Sequence, residues 1–236
     1  NNLANASTVG YKKEGSTSQS FDDVLTVKIK DQSVGMRNVQ RLGVKNPGVK
    51  IGENYTDYTQ GSFRITDNTY DLALAGDGFF AIEFTNKAGE TDTKYTRAGQ
   101  FTLNKDGYLV TEEGDYVLDT QNRRIRLNTL IDSSITDDGT IYQNGQAVAK
   151  IQVTDFEDYD YLEKYGETYY QPIQGAKTIA AKAQVKSGYL EMANVQIVSE
   201  MVNLISITRA YESNQKVVQT IDDTLDVAVN QIGRVQ

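Results

Sequence analysis

The sequence has no cysteine, no histidine and no tryptophan. Those absences exclude disulfides, thiolate nucleophiles, Cys/His zinc sites, His-ligated haem and every Ser-His or Cys-His triad. The fold therefore cannot depend on an oxidising compartment. Proline is nearly missing as well: 2 residues stand against 19 glycines, beside 15 tyrosines. That balance suits turn-rich β structure better than a Pro-rich linker. No apolar run approaches the roughly 18–20 residues that span a bilayer. No secretory signal is visible, and the chain begins at Asn1 without methionine, which leaves room for an upstream piece. Positive charge is scarce too. Over 236 residues, 24 Lys/Arg face 32 Asp/Glu, a net −8. This disfavours sequence-independent nucleic-acid binding and anionic membrane surfaces for the molecule as a whole.

What is present divides into three regions. Residues 1–60 are polar and carry 8 Lys/Arg against 6 Asp/Glu, so +2, while the other 176 residues carry −10. Leu25, Val27 and Ile29 alternate with Thr26, Lys28 and Lys30, a strand signal. Gly35, Gly43, Pro47, Gly48 and Gly52 follow too densely for a helix. The region reads as an extended arm with one edge strand, and for residues 1–20 a plain disordered tail is an equal reading. The path of residues 20–60 stays open between a return along the β domain and a bridge to another subunit.

Residues 61–186 read as all-β. Gly76-Asp77-Gly78 turns into the apolar run Phe79–Phe84. Asn104-Lys105-Asp106-Gly107, set between Phe101–Leu103 and Tyr108–Val110, is a hairpin signal, because glycine supplies the positive φ of the turn. Further strand candidates lie at 116–118, 125–127, 141–142, 148–153 and 181–185. Short strands at such spacing predict a β-sandwich or barrel-like central domain, with no strand–helix alternation to support a doubly wound fold.

From residue 187 onward the period changes. Ile197, Leu204, Tyr211, Val218, Leu225 and Ile232 recur every seven residues. Three positions later stand Glu200, Ile207, Asn214, Ile221, Ala228 and Val235. This is a heptad pattern on a helix of about 40 residues, about 60 Å long. Two covers are open to its apolar stripe. It could pack on its own β domain, which spans only about 35 Å, or pair with a partner helix as a coiled coil. In the second case Asn214 within the seam would help fix register. The fold class is thus mostly β with a long C-terminal α-helix.

Four stretches resemble one family. Asn1-Asn2-Leu3-Ala4-Asn5 through Gly10-Tyr11-Lys12 is the first. Gln60-Gly61-Ser62-Phe63 with Asp71–Phe80 is the second, and Tyr95-Thr96-Arg97-Ala98-Gly99-Gln100-Phe101 to Asp106–Val110 the third. Gly188-Tyr189-Leu190-Glu191, Asn194-Val195 and Arg209–Asn214 complete the set. Each is short, but the four in this order, over about half the chain, resemble the axial proteins of the bacterial flagellum, of the basal-body rod and hook group. That family usually has Ser where Ala193 stands and Asn where Gln196 stands. The resemblance implies a structural, non-enzymatic subunit, without cofactor or metal, that stacks helically into a hollow axle. It implies export through the flagellar export apparatus without a cleaved signal. Its partners would be further copies of itself and neighbouring rod or hook proteins, with no nucleic acid and no membrane insertion. The family's chain begins about one helix upstream, and that helix is the expected partner of the heptad stripe. The expected assembly interface is Leu3, Ile197, Leu204, Ile207, Tyr211, Asn214, Val218, Ile221, Leu225 and Ile232.

Competing chemistry has thinner support. Asp137-Asp138-Gly139 reads as a turn. Residues 155–170 hold six acids and six aromatics with one lysine, but lack EF-hand spacing. They keep a second hypothesis open, a carbohydrate-binding or carbohydrate-cleaving β domain with a helical oligomerisation tail. Gly76-Asp77-Gly78 lacks dinucleotide-loop spacing and leads into a strand, and Lys45–Lys50 and Arg123-Arg124 are too sparse for a nucleic-acid footprint.

Overall fold

The computed structural model describes residues 1–22, 24–29, 39–46, 48–86 and 89–230. They form two compact units, one of Lys13–Tyr58 and one of Asn1–Lys12 with Thr59–Gln236. Residues 1–12, grouped with the arm in the sequence, therefore belong to the same unit as the β domain.

Among the described residues the smaller unit has four strands where the sequence promised one. They are β1 (Lys13–Ser20), β2 (Val24–Ile29), β3 (Val39–Lys45) and β4 (Val49–Asp57). Two antiparallel ladders nest. β1 pairs with β4 from Lys13↔Asp57 to Ser20↔Val49, and β2 pairs with β3 from Val24↔Lys45 to Ile29↔Val39. The Phe21 N–H donates to the Gly48 carbonyl at 2.9 Å and joins the ladders into one out-and-back ribbon. Glycines sit within it: Gly15 gives the Tyr55 ring room to lie over the backbone, and Gly43, read as a breaker, takes φ 138 beside a shift in register.

In the larger unit, β5 (Phe63–Ile65), β6 (Leu72–Ala75), β7 (Phe79–Thr85), β8 (Thr91–Thr96), β9 (Phe101–Leu103), β10 (Leu109–Thr111) and β11 (Tyr116–Val117) come first. β12 (Ser133–Ile135), β13 (Thr140–Gln143), β14 (Gln146–Lys150), β15 (Val153–Phe156), β16 (Leu162–Tyr165), β17 (Tyr169–Pro172), β18 (Thr178–Ala180), β19 (Gln184–Ser187) and β20 (Tyr189–Glu191) follow. Among the described residues the main sheet has nine strands, in the order β16-β17-β8-β7-β11-β10-β9, with β15 also on β7 and β18 on β15. Smaller ladders join β12-β13-β14, β19-β6 and β20-β5. Among the described residues no barrel closes, so the barrel-like form of the expectation gives way to an open sheet with satellites. In the segment 125–127 Arg126 makes one isolated bridge, to Tyr108, rather than a strand.

The hairpin read from sequence is present. Asn104 Oδ1 accepts from the Asp106 and Tyr108 N–H groups at 3.0 and 2.9 Å, which shapes the turn between β9 and β10. The core gathers Leu72, Leu74, Phe80, Phe101, Leu109, Ile125, Ile141 and Ile151, all at most 2% exposed. Phe80 meets Phe101 edge-on at 5.2 Å between centroids.

The helix α1 runs Ile197–Asn230, 34 residues, or about 51 Å at 1.5 Å per residue. It begins later than the change of period at 187 suggested. Gly188, at φ 81, turns the chain into β20, which pairs Tyr189↔Ile65 through Glu191↔Phe63, and Leu190 is buried. That ladder holds residues 189–191 in a strand.

Candidate assembly surface

The helix α1 has no buried residue. Of the expected interface, Ile197, Leu204, Ile207, Tyr211, Val218, Ile221 and Leu225 lie along it with 43–70% of their surface exposed. Asn214 is exposed among them, and Ile232 falls outside the described residues. The flanking Val198, Met201, Val202 and Ile205 are exposed too. Covering the stripe by the chain's own β domain, one of the two covers open at the start, is therefore not what this structure shows. Leu3, 39% exposed, lies in the N-terminal turns rather than on α1. Its neighbour Asn2 donates to Glu200 Oε2, in the first turn of α1, at 3.5 Å.

The root of the helix is built where the four quoted stretches converge. Gly10 adopts φ 69, and a Cβ on it would sit 2.3 Å from the Ala98 nitrogen; the first and third stretches touch there. A Cβ on Gly61 would sit 1.9 Å from the Met192 carbonyl oxygen, which brings the second against the fourth. The Gly10 N–H donates to the Glu191 carbonyl at 2.8 Å and the Met192 N–H to Ser62 at 2.8 Å.

Glu191 sits at the centre. Its side chain is fully buried, as are those of Lys12 and Arg97 to within 3%. Lys12 Nζ donates to Glu191 Oε1 at 2.6 Å and to the Thr59 carbonyl at 2.8 Å. The Gly61 N–H donates to the same Oε1 at 3.0 Å, and Arg97 Nη1 to Oε2 at 3.3 Å. The Arg97 guanidinium lies 5.3 Å from the Phe79 ring centroid. Asn194 Nδ2 then donates to the Thr59 carbonyl and Oγ1, both at 3.1 Å. The sequence reading named these residues only as members of motifs. The available signal was a single charge, Glu191, set among Tyr189, Leu190, Met192 and Ala193.

The stretch 155–170 uses its side chains locally. Asp155 accepts from the Tyr159 hydroxyl at 2.8 Å, and Asp158 caps a short helical turn at Tyr159–Tyr161. Phe156, Tyr169 and Tyr170 are buried, and Phe156 and Tyr170 pack against Phe79. Burial and the neighbouring Asp155 push the Tyr159 phenol up; burial and Asp115 do the same for Tyr169. Both phenols stay protonated at neutral pH and serve as fixed donors. Half of the aromatics in the stretch are thus spent in the interior, while Tyr161 and Tyr165 stay exposed, and among the described residues no group of acids is arranged to hold a metal ion.

Two family models match this chain. The C-terminal region of the flagellar basal body rod FlgEFG proteins matches residues 186–232, and the D1 domain of the flagellar hook proteins FlgE/F/G matches residues 73–145. The first covers the strand that carries Glu191 and the helix; the second covers Arg97 and much of the core. The flagellar basal-body rod protein FlgG of Bacillus subtilis is 33% identical over 249 residues, spanning 98% of this chain and 90% of that protein. FlgG of Caulobacter vibrioides is 35% identical over 95% of this chain and 88% of its own length. FlgF of the same organism is 32% identical over 100% of this chain and 90% of its own length. The chain belongs to the flagellar basal-body rod and hook protein family.

Proposed function

We propose that the chain is a structural subunit of the rod of the bacterial flagellar basal body, and that it works by assembly rather than by chemistry. The observation that carries this reading, beyond the kinship, is the helix α1. It bears an apolar heptad stripe with no cover from its own chain among the described residues, and it belongs to the region matched to rod proteins. Buried in a coiled-coil layer, each aliphatic of the stripe would contribute about 1.5–3 kcal/mol. Head-to-tail contacts that do not close on themselves then generate a helical axle. Its partners are further copies of the chain and neighbouring rod or hook proteins, after passage through the flagellar export apparatus. The exposed Val49, Ile51 and Tyr55 of the ribbon offer those neighbours a second surface. The carbohydrate alternative has no support in the kinship or in residues 155–170.

The test is Leu225→Asp in the natural host. Rods should fail to form and motility should be lost, while the isolated protein keeps its β-unit unfolding transition. Normal swimming with the variant incorporated would overturn the coiled-coil reading.

A further inference from the structure

The chain leaves the larger unit after Lys12, re-enters it at Thr59 and continues into α1 beyond Gln196. All three passages meet one buried cluster. Lys12 reaches both Thr59 and Glu191, the Gly61 N–H closes on the same carboxylate, and Asn194 returns to the Thr59 carbonyl. Arg97 supplies the second cation, and its Nε has no hydrogen-bond partner among the described residues. Lys12, Arg97 and Glu191 thus place ionic groups in the interior. Such an arrangement is costly to desolvate, and apolar residues of similar size would commonly stabilise as well. What the ions add is discrimination. In this placement of the strands both oxygens of Glu191 are satisfied, Oε1 by Lys12 and Gly61 and Oε2 by Arg97, and a shift of one strand would give up its bond.

We infer that the Lys12–Glu191–Arg97 cluster is a joint that couples the root of the C-terminal helix to two other strand roots of the same unit, at residues 10–12 and 59–65, so that none loosens alone. The coupling element is the carboxylate itself, since each root is tied to it directly or through Thr59. A variant on one strand therefore acts on the others, across 179 positions of sequence between Lys12 and Glu191.

Hydrogen exchange on the full chain tests this without recourse to assembly, so its failure is separate from failure of the rod reading. Glu191→Gln keeps the volume and removes the charge. The amides of Gly10, of residues 62–65 and of Met192 should exchange roughly a hundredfold faster, and together, while β7 keeps its protection. Loosening confined to residues 189–192, or equal loosening of β7, would overturn the joint, the first by showing no coupling and the second by showing a plain core residue. Should Glu191→Gln fail to fold, Lys12→Met approaches from the other strand. It should expose Met192 and the β20-β5 ladder, and unchanged protection there would contradict the inference.

Discussion

The β unit and the helix α1 both carry dense apolar residues, and they place them in opposite environments. In the β unit Leu72, Leu74, Phe80, Leu109 and Ile141 have no exposed surface. On α1 Leu204, Tyr211, Val218 and Leu225 each keep more than half of theirs. The first set closes a core within one chain. The second is a contiguous exposed stripe, the kind of apolar surface that in proteins commonly marks an interaction site. Composition sharpens the contrast. Thirteen of the 34 helical residues are Val, Ile or Thr. These β-branched residues lose side-chain freedom in a helix, and most helical stability in proteins comes from packing rather than propensity. The β unit closes a core of its own, whereas α1 has no buried residue and, on the reading proposed above, draws its support from a partner.

The largest expected effect probes the interior. Phe80→Ala should destabilise the β unit by about 3–5 kcal/mol in urea unfolding, the loss typical of a buried aromatic. Leu204→Ala should leave that transition within about 0.5 kcal/mol, as surface changes do. A large loss from Leu204→Ala would break the comparison, because it would mean that the stripe supports the β unit.

A middle-sized effect refines the picture of the β unit. Tyr169 donates to Asp115 at 2.9 Å in the interior, beside Thr111. Tyr169→Phe removes the donor and leaves Asp115 under-satisfied, a loss of about 1–2 kcal/mol. Calorimetry that finds no change would mean water replaces the hydroxyl.

The smallest effect is electrostatic. Burial raises the Asp119 pKa, but the Arg123 and Gln121 N–H groups and the Arg123 side chain outweigh it and hold the group below the ordinary carboxylate value. A depressed folded pKa adds stability above the unfolded pKa of about 4 and loses it as pH falls through the folded value. Asp119→Asn should lower the melting temperature modestly at neutral pH and flatten its acid limb, the two proteins converging as pH falls below about 4. An unchanged acid limb would show that other carboxylates set it.

Legibility from sequence followed the range of the interactions. The turn at Asn104–Gly107 and the strand at 24–29 are written in neighbouring residues, and so is the heptad period of α1. The strands β3 and β4 were hidden because Gly43, Gly48 and Gly52 read as punctuation, yet a ribbon tolerates them. The strand at Tyr189–Glu191 was masked by the adjoining helical period, since its cause is a ladder to residues 63–65. The ion cluster had no local pattern at all. Lys12, Arg97 and Glu191 meet only through the fold, so resemblance placed them in motifs while their contact emerged from the structure.

The central claim is that α1 carries its stripe for another chain. Hydrogen exchange across residues 198–230, in a dilute sample shown to be monomeric and again in the assembled state, tests it most directly. The account predicts fast exchange along the helix beside a protected β7 in the monomer, and strong protection of both after assembly. Strong protection of the helix in the monomer would contradict it, because the stripe would then already be covered within its own chain.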